Sequence, residues 1–464
     1  MAGAQAITCL QDLLWAAGGQ YVQRPPTSAA EAALGAKLLG LLKCLFAFSP
    51  KDARGHRALL HPLLPLLAWP AARFGLLGTL KSMPARYRLL TLAPMGAAPL
   101  LCDSVRTCES PVARTVEGAI VVMHAIGCLH EIARGAEQYA TLAPAAPGLL
   151  SEVCAAGGIQ AAAAVLRSLK ANRGGGDGDD EAAVCARSDA ASVVFAVKLL
   201  NELVALTADA GSGLFAEQAG GEDRRDALVA EPGLLASLRR VLEDDAPGVH
   251  GAVGAVVYSI AFGRDAKRAR CRGRRLLAAG LAAPLFAMLR CDTTTTRMAA
   301  QSALMQLIQG GHAGADGALI EASPCEYPAA AVESMLLPGG LVAGLLVLLS
   351  GREPWEPNFA LRALTALADS GPTGCAAILS GRGVVKAFRG ALQRDFRTLD
   401  TAARVAGLCA ALAKLALPGA APLAPAQQQA LSGLLALLPP PPCCKKKPAA
   451  GLRAAAADIS NVVS

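Results

Sequence analysis

A chain of 464 residues is long enough for two to four globular domains, and with 53% hydrophobic residues and a mean hydropathy of +0.39 it can bury a large core, which excludes disorder as its main state. Aromatics make up only 4% while Ala and Leu dominate, which favours helix over sheet. The formal net charge of +8 is modestly basic and excludes the charge density of a histone-like protein.

In chain order, the first segment has no basic residue before Arg24 and contains Asp12, so it lacks the charged start of a secretory signal. KCLFAFS, with Leu42 and Leu45, is the first piece of a pattern that recurs further on. Residues 51–111 read as helices with no assignable phase. From about residue 112 two sets of aliphatic columns emerge.

The first set follows a glycine. Aligning Gly233, Gly280, Gly340 and Gly383 gives GLLASLRRVL, GLAAPLFAML, GLVAGLLVLL and GVVKAFRGAL. One position on stand Leu234, Leu281, Leu341 and Val384; five on, Leu238, Leu285, Leu345 and Phe388; nine on, Leu242, Leu289, Leu349 and Leu392. These spacings mark one face of a helix, and the glycine suits a bend after a short preceding helix. SEVCAAGGIQAAAAVL, with Gly158, is a fifth copy with a one-residue slip.

The second set superposes GCLHEIARG, KLLNELVAL, VVYSIAFG, ALMQLIQG, ALTALADSG, ALAKLALPG and DISNVVS. Its first column reads Leu129, Leu200, Val257, Leu304, Leu364, Leu412 and Ile459; three residues later come Ile132, Leu203, Ile260, Leu307, Leu367, Leu415 and Val462. The residue after the midpoint of each pair lies 26 positions beyond the glycine in three copies (Gly233 to Ser259, Gly280 to Gln306, Gly340 to Ala366). From Gly158 to Glu202 the distance is 44, and the excess coincides with residues 170–187, whose GGGDGDDE reads as a flexible acidic loop.

A short helix, a glycine, a second helix and a longer third helix in each repeat resemble armadillo repeats, as in GLAAPLFAMLRCDTTTTRMAAQSALMQLIQG. The resemblance implies an all-α, armadillo-type right-handed solenoid of about 7–9 three-helix repeats, stacked because no single repeat can bury its apolar face. The implied division is 1–111 for divergent N-terminal repeats, 112–418 for armadillo-like repeats with the acidic insertion, and 419–464 for a partial capping repeat. Leu289 and Leu304 should be buried between the second and third helices of one repeat.

Catalytic and membrane signatures are not recognisable. The best apolar run, Leu336–Leu349, contains Pro338, Gly339 and Gly340 and falls short of the roughly 20 residues a spanning helix needs. The fourteen cysteines are scattered without a CxxC pair, and Cys44, Cys128, Cys154, Cys375 and Cys409 sit in apolar helical stretches, which suits a reducing cytoplasmic or nuclear setting. GRGVVKAFRG lacks the Lys and hydroxyl of a phosphate loop, and His130-Glu131 begins an HExxH whose last position is Arg134. His124 and His130 are six apart and do not share a helix face. No cofactor, metal or small-molecule substrate is expected, and a Cys nucleophile is the one catalytic alternative retained.

Three features carry a functional reading. RDAKRARCRGRR supplies Arg264, Lys267, Arg268, Arg270, Arg272, Arg274 and Arg275 against one acid, a basic patch for an anionic partner or membrane if it is not simply a solvated first helix; without interleaved aromatics, single-stranded nucleic acid is disfavoured. PPPPCCKKKP (residues 439–448) places Cys443 and Cys444 beside three lysines, the chemistry of a twice-acylated peripheral membrane tether, against an ordinary exposed loop. The third is the position between the aliphatic columns of the third helices, which line the concave face in the resembled family.

That position reads Glu131, Glu202, Ser259, Gln306, Ala366, Lys414 and Asn461; four residues earlier stand Gly127, Lys198, Ala255, Ser302, Arg362, Ala410 and Ala457. Importin-type members hold Asn there with Trp one turn before. Only Asn461 matches, so a nuclear-signal receptor is not expected. The resemblance instead implies a non-catalytic scaffold that binds a protein segment in its groove, acidic at Glu131 and Glu202 and basic at Arg362 and Lys414.

Overall fold

The computed structural model describes residues 70–82, 92, 96–109, 115–136, 148–169, 181–204, 207–208, 215–216, 220–244, 247–263, 265–291, 293–309, 340–351, 353, 355–369, 371–394, 399–413 and 423–437. They fall into two compact units, residues 1–207 with 218–256 and residues 208–217 with 257–464. Apart from a pair of two-residue strands, Thr207–Ala208 and Phe215–Ala216, the regular structure described is helical.

Unit 1 contains α1 (Pro70–Ser82), α2 (Ala98–Arg106), a 3-10 turn (Thr107–Glu109), α3 (Val116–Arg134), α4 (Leu149–Ala155), α5 (Gly158–Ser168), α6 (Glu181–Val204), α7 (Gly221–Ala230), α8 (Leu234–Glu243) and α9 (Pro247–Ala261) as far as Val256. Unit 2 contains α10 (Ala266–Ala278), α11 (Ala282–Met288), α12 (Thr294–Gln309), α13 (Leu341–Leu349), α14 (Trp355–Asp369), α15 (Pro372–Ser380), α16 (Val384–Arg394), α17 (Leu399–Ala413) and α18 (Pro425–Leu435).

The layers follow from the two sets of columns. In unit 1 second helix packs on second helix (α5 on α8) and the longer helices α1, α3 and α6 pack in series. In unit 2 the second helices run α11, α13, α16 and the third helices α12, α14, α17. All four residues at the first and all four at the fifth position after the glycine are buried, as are Leu129, Leu200, Val257, Leu304, Leu364 and Leu412 on the third helices. Leu289 and Leu304 are buried as expected, 1% and 0% exposed. Each such leucine contributes about 1.5–3 kcal/mol by leaving water.

The glycine column turns the chain in the expected way. Gly233, Gly280 and Gly383 hold φ of 72°, 76° and 79°, a left-handed conformation that costs glycine alone nothing. In the slipped copy that backbone belongs to Gly157 (φ 91°), one residue before Gly158, which opens α5. Gly340 departs from the column: it is extended, with φ −69° and ψ 174°.

Other expectations shift at their edges. Residues 170–187 are not all loop, because α6 begins at Glu181; its carboxylate sits in the first turn, where the helix dipole favours negative charge, and EAAVCAR is good helix sequence. Within the segment without assignable phase, α1 buries Leu76, Leu77 and Leu80 and packs against α3 as one third helix packs on the next. One described helix, α3, is long and apolar enough to cross a membrane, and 61% of that window is buried inside the fold. The motif at Cys44, the acidic GGGDGD, and the Cys-Lys segment with Cys443 and Cys444 lie outside the described residues.

Candidate partner-binding surface

The third helices carry the surface. α3 starts at Thr115, whose hydroxyl accepts from the Gly118 amide at 3.1 Å, and continues without a break to Arg134. Its columns Leu129 and Ile132 face the core, which leaves Glu131 half-buried between them. α6 repeats the arrangement, with Leu200 and Leu203 buried and Glu202 half-buried. In unit 2, Gln306 of α12 is half-buried, and Arg362 of α14 is exposed one turn before Ala366.

Two residues of the expected row and patch are placed elsewhere. Ser259 is buried, 5% exposed, so it presents no side chain to a partner along the row. Arg272 is buried, 2% exposed, so it is no part of a basic surface. Its Nε donates to the Ile260 carbonyl at 2.7 Å and its terminal nitrogen to the Phe262 carbonyl at 2.9 Å, satisfying carbonyls at the end of α9. Lys267 and Arg275 are exposed, while Arg268, Arg270 and Arg274 are half-buried. Asp265 caps the helix by accepting from the Lys267 and Arg268 amides, and these bonds hold its carboxyl below the usual range. Arg264, Lys414 and Asn461 lie outside the described residues.

Around Glu131 and Glu202 the structure assembles more than the sequence pattern indicates. Lys81, at the end of α1, places its ammonium 3.6 Å from Glu131 Oε1 and 5.3 Å from the centre of the Phe195 ring of α6. His130 packs beside the same ring, centroids 6.0 Å apart, with Nε2 3.9 Å from Glu202 Oε1. Burial first, and then the positive charges of Lys198, Arg134 and Lys81, push the His130 pKa down to about 4. His130 is therefore neutral at pH 7 and makes no ion pair with Glu202. This end of the row is mixed in charge rather than acidic.

Sequence reasoning missed Lys81 and Phe195. Lys81 lies in the segment without a readable phase, and Phe195 lies outside the columns compared. Gly127, four residues before Glu131, gives no signal either, because a Cβ there would meet Phe195 at 3.6 Å, an ordinary van der Waals contact.

Burial raises Cys102 and Cys409 to about 12, and Cys154 and Cys375 to about 11, so none is a ready thiolate nucleophile. Among the described residues no group of three His, Cys, Asp or Glu is placed to hold a metal ion.

No protein-family model matches the chain, and no curated protein matches it. Among solved structures, it is similar to a chain from work described as "A conserved phosphorylation switch controls the interaction between cadherin and beta-catenin in vitro and in vivo", at 13% identity and a TM-score of 0.52, over 90% of this chain and 63% of that one. It also matches a designed armadillo repeat protein at 15% identity and TM-score 0.36, over 73% of this chain and all of that one. An engineered protein from a structural genomics consortium matches at 16% identity and TM-score 0.45, over 97% of this chain and 99% of that one. With the helix layers and glycine turns described above, the first of these likenesses gives the chain an all-α, armadillo-type helical-repeat fold.

Proposed function

We propose that the protein is a non-catalytic scaffold that binds a segment of another protein along its third helices. One observation carries the reading: on α3, α6 and α12 a polar residue stays partly open between two fully buried aliphatic columns, so packing does not dictate its identity. Glu131, Glu202 and Gln306 occupy that place, and Arg362 is exposed one turn earlier on α14. Lys414 and Asn461 are assigned to the same row on sequence spacing. Polar side chains repeated at such a spacing fix the register of an extended segment more than its raw affinity. The similarity to a structure from work on the interaction between cadherin and beta-catenin agrees with a protein partner.

The test is affinity capture with charge reversal. Glu202→Lys and Lys414→Glu should each weaken capture of the same partner, with the melting temperature of each variant as the control for folding. Capture that survives both reversals but is lost on neutralising Lys267 and Arg275 sinks the groove reading.

A second reading, a peripheral membrane adaptor, is favoured by the exposed Lys267 and Arg275 on α10. In that reading Cys443 and Cys444 would supply the lipid anchor. Replacing both by Ser should then move the protein from membrane to soluble fractions, and unchanged fractionation would end the tether.

A further inference from the structure

The second helices α8 and α16 start from the same turn and differ in charge balance. Gly233 before α8 and Gly383 before α16 both hold the left-handed backbone. Six residues after the glycine each helix exposes an arginine, Arg239 on α8 and Arg389 on α16. On α8 it is answered four residues later by Glu243, whose Oε1 accepts from Nε at 2.7 Å. On α16 that place holds Gln393, and Lys386 stands where α8 has Ala236. Arg382, in the turn before α16, is a third exposed cation.

The helices packed on α16 leave these charges standing. α13 (LVAGLLVLL), α15 (PTGCAAILS) and α18 (PAQQQALSGLL) all pack against it, and none contains a charged residue. Glu353 and Glu356, where α14 begins, are turned to one another, the Glu356 carboxylate accepting from the Glu353 amide at 3.0 Å. Among the described residues the side chains of Arg382, Lys386 and Arg389 make no hydrogen bond or ion pair. Val347 of α13 is the one large apolar side chain that α13, α15, α16 and α18 expose. Three cations and a single valine fall short of the two signals that a stable membrane contact takes, and no aromatic is interleaved to stack on bases.

We propose that the exposed side of α16, with Arg382, Lys386 and Arg389, is a docking surface for an acidic segment of a partner protein. It needs none of the third-helix residues, so it stands or falls apart from the reading above. Lys386 and Arg389 are three residues apart, about 4.5 Å along the helix axis, and the rigid helix holds them in one row. Carboxylates along one side of a partner segment meet them in order: Arg389 takes one as a two-pronged fork, Lys386 takes one as a point charge, and Arg382 extends the row. The complementarity selects an acidic partner and sets its register.

The test is fluorescence anisotropy with the full chain and a fluorescein-labelled octapeptide of alternating Asp and Glu, at low salt. Lys386→Glu with Arg389→Glu should weaken binding about tenfold or more, two attractive pairs being exchanged for repulsive ones. Lys267→Glu with Arg275→Glu changes the net charge by the same amount and should weaken binding less than about threefold. If the α16 reversal lowers the melting temperature, Lys386→Gln with Arg389→Gln takes its place and should weaken binding about threefold. Peptide binding that is absent in wild type, unchanged by the α16 variants, or weakened equally by the two reversals overturns the proposal. So do phosphatidylserine vesicles or a short DNA duplex that bind wild type more tightly than the peptide does and lose it on the α16 reversal, which would make the surface one for lipid or nucleic acid.

Discussion

The first helices of two repeats, α7 in unit 1 and α10 in unit 2, differ sharply in charge and yet make the same contact. α7 (GEDRRDALVA) carries three acids and two arginines, whereas α10 (AKRARCRGRRLLA) carries six basic residues and no acid. Arg224 of α7 donates from Nε to the Leu203 carbonyl at 2.7 Å, and Arg272 of α10 donates from Nε to the Ile260 carbonyl at 2.7 Å. Leu203 and Ile260 occupy the same column of successive third helices. The arginine therefore serves the fold, satisfying the open carbonyls where a third helix ends. On α7 a second arginine is fixed as well: Arg225 is fully buried, 3.7 Å from Glu222. α15 shows the weak form, with Cys375 Sγ 3.3 Å from the Ala368 carbonyl.

Breaking the stronger clamp should give the largest effect. Arg272→Leu strips donors from two carbonyls at a buried position, at about 1–3 kcal/mol each, so denaturant unfolding of unit 2 should lose about 3 kcal/mol or more. A loss as small as that of an exposed arginine would show that Arg272 is not a structural clamp. Arg224→Leu, which removes the bond to the Leu203 carbonyl, should cost about 2 kcal/mol, and Cys375→Ala about 1 kcal/mol or less. A reversed order would remove the argument that these three positions do one job.

The comparison sharpens in pH. The residue before the midway position is His130 on α3, but Met305 on α12 and Thr365 on α14, which do not titrate. Folded His130 has a pKa of about 4 against an ordinary 6.5, so between these values the unfolded chain binds more protons than the folded one. Stability from this group is complete above pH 6.5 and is lost as pH falls toward 4, by at most about 3 kcal/mol. Protection of α3 against hydrogen exchange, corrected for the intrinsic exchange rate at each pH, should fall from pH 6.5 to 4.5 relative to α14, and His130→Gln should remove the difference. An equal loss of protection in both helices, or a slope that persists in the variant, would place the acid sensitivity elsewhere.

What the sequence makes legible is packing that repeats. Leu238, Leu285 and Leu345, or Leu304 and Leu364, are recoverable because each repeat solves the same burial problem and leaves the same mark at the same spacing. Arg272 was misread because a clamp and a solvated charge have the same letter. Only the carbonyls it meets, twelve and ten residues back, tell them apart. Ser259 was misread because alignment says which column a residue occupies, not how closely the neighbouring helices cover it. Lys81 and Phe195 were invisible for a third reason: they meet across 114 positions, in a contact that no other repeat duplicates among the described residues.

The smallest effect on stability is expected where α10 faces solvent, and it separates the two functional readings. Lys267, Cys271 and Arg275 are exposed and lie one helical turn apart in succession, so they form a single stripe, while Ala269, Arg272 and Leu276 face the core. Replacing Lys267 and Arg275 together by Gln leaves every buried contact in place and should change unfolding free energy by no more than about 0.5 kcal/mol. If the protein is a membrane adaptor, each lost cation removes about 1 kcal/mol of attraction to an anionic surface, so binding to phosphatidylserine-containing vesicles should fall roughly tenfold or more and should already be weak at high salt. If the third helices are the working surface, the double variant should capture the same partner as wild type, and vesicle binding should be negligible for both. Loss of partner capture with intact stability would instead make α10 the interface, and the basic stripe would have to be read as a site for an acidic protein.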